Sequence, residues 1–199
     1  MLWNRSLVMM DQETGGLWSH LLGRCMRGEM KGTELKPINS VLTTWSDWKA
    51  THPSTDVMLW PQGGGYRFDS DYYRKIGLSR FVAGITIGDQ AKAYPFDQLE
   101  KQPIVNDGSG ERVWVVAFDP QTGSVRRFDR RLDDRVLEFK QDDAKKIVDV
   151  QTGSYWDLRR GVAIEGPLKG RFLASQIVLP SFRIAWETFH PESDFWAAD

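Results

Sequence analysis

The sequence predicts a mainly β protein of the α+β kind, built from antiparallel strands and hairpins, with a short helix closing each half of a duplicated unit. Three observations predict it. Residues Asp11 to Asp56 match Asp149 to Asp194 without a gap, with 13 identities in 46 positions, against about three expected from ordinary composition. The pattern D-x-[QE]-T-G-[GS] occurs as DQETGG at 11–16, DPQTGS at 119–124 and DVQTGS at 149–154. Apolar runs such as FVAGITIG and VWVVAF, rich in β-branched and aromatic residues and bounded by Gly, Asp and Asn, have the length and composition of short strands.

Each element follows from local chemistry. Asp and Gly at the offsets of the DQETGG, DPQTGS and DVQTGS segments suit β-turns, so all three read as hairpin tips. Gly23, Gly28 and Gly32, like Gly161, Gly166 and Gly170, mark tight turns between short strands. Thr44 to Thr51 and Ser181 to Phe189 read as short helices capped by Thr or Ser, with Trp48 or Trp186 turned inward. Each helix stops at His52-Pro53 or His190-Pro191, because the residue before a proline is pushed out of the α region.

In the middle of the chain, WPQGGGYRFDSDYYRKIG at 60–77 reads as a Gly-rich linker or long loop. RFVAGITIG and QAKAYPF make a hairpin turning at Gly88-Asp89, and Asp97 to Lys101 a short helix. IVNDGSGERVWVVAF makes a second hairpin turning at Asp107 to Gly110. RVLEF at 135–139 adds a strand whose apolar residues are Val136, Leu137 and Phe139. The resulting organisation is the latter half of one unit over 1–58, a linker over 59–77 and a complete unit over 78–199. On this reading the chain starts mid-unit. Residues 1–58 then expose strand edges and must pair with the complete unit, or with another chain as a homodimer.

Composition excludes several classes. At 199 residues the chain is long enough to bury a core without a disulfide. Hydrophobic residues make up 41%, charged residues 27% and mean hydropathy is −0.45, as in an ordinary soluble protein. No window reaches the roughly 18 to 20 apolar residues of a membrane span, and MLWNRSLVMMDQE has no basic segment followed by an apolar one, so no export signal is expected. A formal net charge of −1 sets up no global field for nucleic acid. Arg126-Arg127 and Arg130-Arg131 are interspersed with Asp129, Asp133 and Asp134, the pattern of a solvated mixed-charge hairpin. Cys25 is the single cysteine, which rules out an internal disulfide and leaves the compartment open.

TGSYWDLRRGVAIEGPLKGRFL, together with AKAYPFDQL and IVND upstream, resembles the bacterial family of unknown function DUF3179. The resemblance implies no established activity. It implies a Cys-Pro-x-Cys-Gly segment on the strand turn before the TGS half. The matching place is Asp119-Pro120-Gln121-Thr122-Gly123, where Asp119 and Thr122 replace both thiols, so no thiol chemistry carries over to this copy. The other copy's segment would lie before Met1. Relatives of this kind look exported, which the resemblance leaves open for this chain.

Candidate residues are few, and the sequence assigns none to catalysis or to a cofactor. His20 and Cys25 are competent zinc or copper ligands, but two ligands are not a site, and the second copy has Leu158 and Ala163 there. Against a metal stands the habit of free cysteine to pack as a small hydrophobe. His52 and His190 could be duplicated general bases, yet a histidine in a helix's last turn favours the negative end of the dipole, and no serine, cysteine or acid sits at a spacing that builds a triad. Of the nine tryptophans, Trp18, Trp48, Trp156 and Trp186 recur as core anchors would, leaving Trp3, Trp60 and Trp196 freer to serve a surface. QGGGY and NDGSG lack the GK[ST] of a phosphate loop, and Asp69 and Asp71 beside Tyr72 and Tyr73 lack calcium-loop spacing. The leading expectation is a non-enzymatic binding or scaffold module for an unidentified ligand or protein. The alternatives are a metal or thiol-redox protein complete only in full-length relatives, and carbohydrate binding through surface tryptophans.

Overall fold

The structure, a computed structural model, describes residues 2–3, 6–57 and 72–198. Trp60, Asp69, Asp71 and the QGGGY segment lie outside the described residues. The first repeat opens with a four-stranded antiparallel sheet in chain order: β1 (Leu2–Trp3), β2 (Ser6–Met10), β3 (Leu17–Ser19) and β4 (Arg24–Arg27). Residues 36–44 then run without strand or helix to α1 (Trp45–Thr51), where the Thr44 hydroxyl accepts from the Asp47 N–H at 3.2 Å. That bond satisfies one of the donors a helix start leaves free.

The next element corrects the sequence reading. Tyr72 to Ile76, placed there in a linker, form a helix, α2 (Tyr72–Ile76). Its anchor is Tyr73, a core residue lying so close over Gly123 that a Cβ there would sit 2.2 Å from Tyr73 Cδ2. Burial, reinforced by Tyr72, pushes the Tyr73 hydroxyl up to about 12. Arg74 Nη2 donates to the Pro120 carbonyl at 2.9 Å and pairs with Glu100 at 2.8 Å, so α2 clamps the 119–123 turn.

The second unit begins with the hairpin β5 (Phe81–Ile87) and β6 (Gln90–Pro95), turning at Gly88-Asp89 as the residues suggest. After α3 (Phe96–Lys101) come β7 (Ile104–Ser109), β8 (Arg112–Asp119) and β9 (Ser124–Asp129). The β7–β8 turn falls later than expected, because Asp107 pairs with Trp114 and Ser109 with Arg112, leaving Gly110-Glu111 as the tip. RVLEF is likewise not one strand. It divides into β11 (Arg135–Val136), which pairs with β10 (Arg131–Leu132), and the start of β12 (Phe139–Gln141), with Leu137 buried between them and Val136 exposed.

β12, β13 (Ile147–Asp149), β14 (Tyr155–Asp157) and β15 (Val162–Glu165) form a second antiparallel sheet in chain order. β16 (Ser175–Gln176) adds to β9, and β17 (Leu179–Phe182) to β5. β17 leads directly into α4 (Arg183–Phe189), whose cap is Phe182 rather than Ser181 and makes no side-chain capping bond. β18 (Asp194–Phe195) lies parallel to β6.

The repeat is visible bond by bond. Met9 faces Trp18 as Ile147 faces Trp156, and the register shift at Leu17/Trp18 recurs at Tyr155/Trp156. Trp48 Nε1 donates to the Thr55 hydroxyl at 2.9 Å, and Trp186 Nε1 to that of Ser193 at 2.8 Å. At the hairpin tips Asp11 and Asp149 accept from the N–H of Thr14 and Thr152, both at 2.6 Å, while Asp119 accepts from the Thr122 hydroxyl at 2.9 Å. The glycine after each threonine has φ of 68°, 70° or 70°, a conformation that costs a residue with a Cβ.

Three apolar clusters hold the layers together. Phe81, Ile85, Tyr94, Phe96, Trp114, Val116 and Phe118 fill the space between the β5–β6 and β7–β8–β9 layers. Val115 faces the opposite way, joining Phe128, Leu137, Phe139 and Trp156 against the β12–β15 sheet. A strand buried on both faces has no polar side to alternate, which is why β8 reads as one apolar run. Asn106 stitches these layers: its amide donates to the Phe139 carbonyl at 2.7 Å and accepts from the Phe139 N–H at 2.8 Å. In the third cluster Val82, Ala93, Ala185 and Trp186 surround Leu21 of the first repeat, which is 3% exposed. Among the described residues no helix is long and apolar enough to cross a membrane.

Candidate functional site

Leu21 and Arg159 occupy equivalent places in the two repeats, one in each loop after the tryptophan-bearing strand. Leu21 plugs the junction beside Trp186. Arg159 instead lines an open groove of about 1280 Å³, whose other wall is α1, with Asp47, Trp48, Thr51 and His52. Trp48 and His52 stack with ring centroids 3.9 Å apart and 10° between planes. The 119–121 tip closes one end, and Tyr155, Lys145 and Lys146 stand on the rim. The space exceeds a usual small-molecule site of roughly 300 to 1,000 Å³.

The floor of the groove is β9. Successive strand residues point to opposite faces, so Ser124, Arg126 and Phe128 share the groove face while Val125 and Arg127 face the first core. Arg126 is half-buried and, among the described residues, its guanidinium makes no hydrogen bond or ion pair. Burial lowers its proton affinity; Asp157 pulls the other way, Arg159 adds to the lowering, and Asp47 opposes it. Two residues away the Ser124 hydroxyl is buried with no partner among the described residues. Its counterpart Ser154 is fully bonded, to the Thr152 hydroxyl at 2.7 Å and the Leu168 N–H at 3.0 Å. A half-buried cation and an unpaired hydroxyl on one strand face are the donors an anionic group requires.

The other arginines of this stretch correct the picture of a solvated hairpin. Arg127 is buried, stacks over Trp114 at 4.6 Å and donates to the Ile177 carbonyl at 3.3 Å. Arg130 donates to the Leu137 carbonyl at 3.1 Å. Burial lowers the proton affinity of both. The charge pattern alone misled here, because Arg127 turns into the first core and Arg130 reaches across to the Leu137 carbonyl.

A second polar cluster is closed on itself. Trp114 Nε1 donates to the Tyr94 hydroxyl, which donates to Asp107 Oδ2, both at 2.7 Å; Lys92 Nζ meets the same oxygen at 2.9 Å and Asp194 at 3.3 Å. Burial raises the Asp107 carboxyl, but hydrogen bonds from Lys92, Tyr94 and the Gly108 N–H outweigh it and leave the group below its ordinary value. Burial lowers Lys92, while Asp107 and Asp194 more than restore it, so it ends above its ordinary value. Tyr94→Phe should cost about 1 to 2 kcal/mol, since it strips partners from Trp114 and Asp107. With its folded value depressed, Asp107 stabilises above its unfolded value of about 3.9 and ceases to as pH falls through the folded value. Urea titrations across acid pH should therefore show a shallower acid loss in the variant; an unchanged acid limb would count against the network.

The structure places the other sequence candidates as follows. Cys25 is buried and donates from Sγ to the Arg27 carbonyl at 3.3 Å, while His20 is exposed with Nδ1 3.1 Å from the Leu7 carbonyl. Among the described residues no group of three or more His, Cys, Asp or Glu could hold a metal ion. The His52 Nδ1 lies 2.8 Å from the Thr51 hydroxyl. His190 is half-buried against Trp186, ring centroids 4.2 Å apart; burial lowers its proton affinity and a backbone bond with Leu21 opposes that. Trp156 and Trp186 are core, whereas Trp18 and Trp48 are only partly buried. Trp3 is exposed, and Trp196, expected at the surface, packs on Tyr94 with ring centroids 5.9 Å apart. The groove itself was missed, because its walls come from residues more than 70 positions apart in the chain.

Shared register, turn chemistry and tryptophan hydrogen bonding define a β-rich protein built from an internal repeat. The chain belongs to the family described as protein of unknown function DUF3179, whose model matches residues 1–80 and again residues 68–193. No curated protein and no solved structure matches it.

Proposed function

We propose that the protein is a non-enzymatic binding module that holds an anionic ligand in the groove between α1 and β9. The observation that carries this reading is Arg126, half-buried on the groove floor with its guanidinium making no ion pair or hydrogen bond among the described residues, beside the unpaired Ser124 hydroxyl. An anion in the groove supplies both with the partner that burial makes valuable. The Trp48–His52 stack offers a flat face to the body of the same ligand. The latter half of the first unit, residues 1–58, contributes α1 as one wall, and the complete unit, residues 78–199, contributes the floor.

Calorimetric titration with benzoate, benzamide and benzylamine, which share a flat body and differ in charge, tests the proposal. Benzoate should bind at least about tenfold more tightly than the other two, a difference of about 1.4 kcal/mol. Arg126→Gln should abolish that preference, and Ala50→Trp, which fills the groove from the exposed side of α1, should abolish binding. Benzoate binding that survives Ala50→Trp would place the ligand elsewhere. Turnover of a hydrolase or oxidoreductase substrate, abolished by one groove mutation, would sink the non-enzymatic reading.

A further inference from the structure

Residues 37–44 form neither strand nor helix and, among the described residues, pair with no strand. Their equivalents in the second repeat are 175–182, where 175–176 form β16 against β9 and 179–182 form β17 against β5. In the first repeat, residues 36–43 make no backbone hydrogen bond among the described residues; the Asn39 amide, donating to the Ser175 hydroxyl, tethers them to the second unit. The segment is nonetheless composed as a strand. Ile38, Val41, Thr43 and Thr44 are β-branched, and the single proline, Pro37, stands at its start, where a strand tolerates one.

Its surface is unusual for an unpaired edge. Ile38 is 85% exposed, Leu42 43% and the adjoining Trp45 50%, while α1 buries none of its residues. Exposed edges are normally guarded by charge. Yet Pro37-Ile38-Asn39-Ser40-Val41-Leu42-Thr43-Thr44-Trp45-Ser46 contains no charged residue, in a chain that is 27% charged. That absence selects the partner. On a two-fold axis an edge meets its own sequence reversed, so the residues nearest the axis face their own copies, and an uncharged centre brings no like charges together. An uncharged edge rich in β-branched residues is self-complementary.

We propose that residues 37–44 pair antiparallel with the same residues of a second copy, making the protein a two-fold homodimer through an intermolecular sheet. The dimer supplies from another chain the ladder bonds that β5 and β9 supply within the second unit. The edge adjoins the groove at Thr43, whereas Ile38 and Leu42 stand outside the groove lining.

Analytical ultracentrifugation of the full chain over micromolar to sub-millimolar concentrations reads the association directly. The wild type should shift from monomer to dimer, with the amides of 38–44 becoming protected from hydrogen exchange over the same range. Ile38→Lys with Leu42→Lys, both at exposed positions, should remain monomeric at every concentration with an unchanged circular dichroism spectrum. Thr43→Pro, which removes a ladder donor without adding charge, should weaken the dimer at least about tenfold. A wild type that stays monomeric throughout, a lysine variant that still dimerises, or protection of 38–44 independent of concentration would each overturn the proposal.

Discussion

Trp186→Ala should destabilise the protein by about 4 kcal/mol, whereas the same change at the equivalent Trp48 should cost about 1 kcal/mol. The two tryptophans make the same local contacts. Each stacks or tilts against the histidine four residues on and donates to a hydroxyl seven residues on, at 2.8 and 2.9 Å. What differs is the third dimension. Trp186 has no exposed surface and lies on Gly84 of β5 so closely that a Cβ there would sit 2.1 Å from Cζ3. Trp48 faces the groove and is only partly buried. Urea unfolding of both variants makes the comparison, and Gly84→Val probes the contact from the other side, with an expected loss of about 3 kcal/mol from overpacking. Equal losses at Trp48 and Trp186 would show that the local motif, not the packing, carries the stability.

Asp149→Ala should cost about 3 kcal/mol, because it leaves buried donors without an acceptor. Asp149 has no exposed surface and accepts from Trp156 Nε1 at 2.9 Å, the Thr152 N–H at 2.6 Å and the Thr152 hydroxyl at 2.8 Å. Asp11 makes the same bonds at the first tip but is only partly buried, so the loss in Asp11→Ala should be smaller. The Trp18 hydrogen bond, followed by those of Thr14, holds the Asp11 carboxyl at about 2. A depressed folded value means that its contribution is present above the unfolded value and disappears as pH falls through about 2. Wild type and Asp11→Ala should therefore converge in stability at strongly acid pH and separate as pH rises. Persistent separation at acid pH, measured by denaturant midpoints, would contradict that assignment.

The fold was legible where local chemistry decides it. Gly15, Gly123 and Gly153 sit where a left-handed residue is needed, and Pro53 and Pro191 end their helices, so the tips and stops could be read from residues alone. Legibility failed where tertiary contacts override local signals. Asp107-Gly108-Ser109 reads as a turn, yet it stays in the ladder because Tyr94 and Lys92 hold the Asp107 side chain. Ser181 reads as a cap, but β17 runs through it to pair with Val82. Arg126 and Arg127 look alike in sequence and face opposite layers of the molecule, one at the groove and one under Trp114. No spacing rule joins Arg126 to Trp48, because the fold alone brings α1 over β9.

Leu21 and Arg159 began as the same position in two copies of one unit. One became a fastener, sealed among Val82, Ala93 and Trp186, and the other was left at the mouth of an opening with 66% of its side chain in solvent. Duplication thus freed half of the pair from holding the structure together. A change at the Arg159 side costs the molecule little cohesion, so natural variation has room to reshape that opening while the Leu21 seam stays fixed.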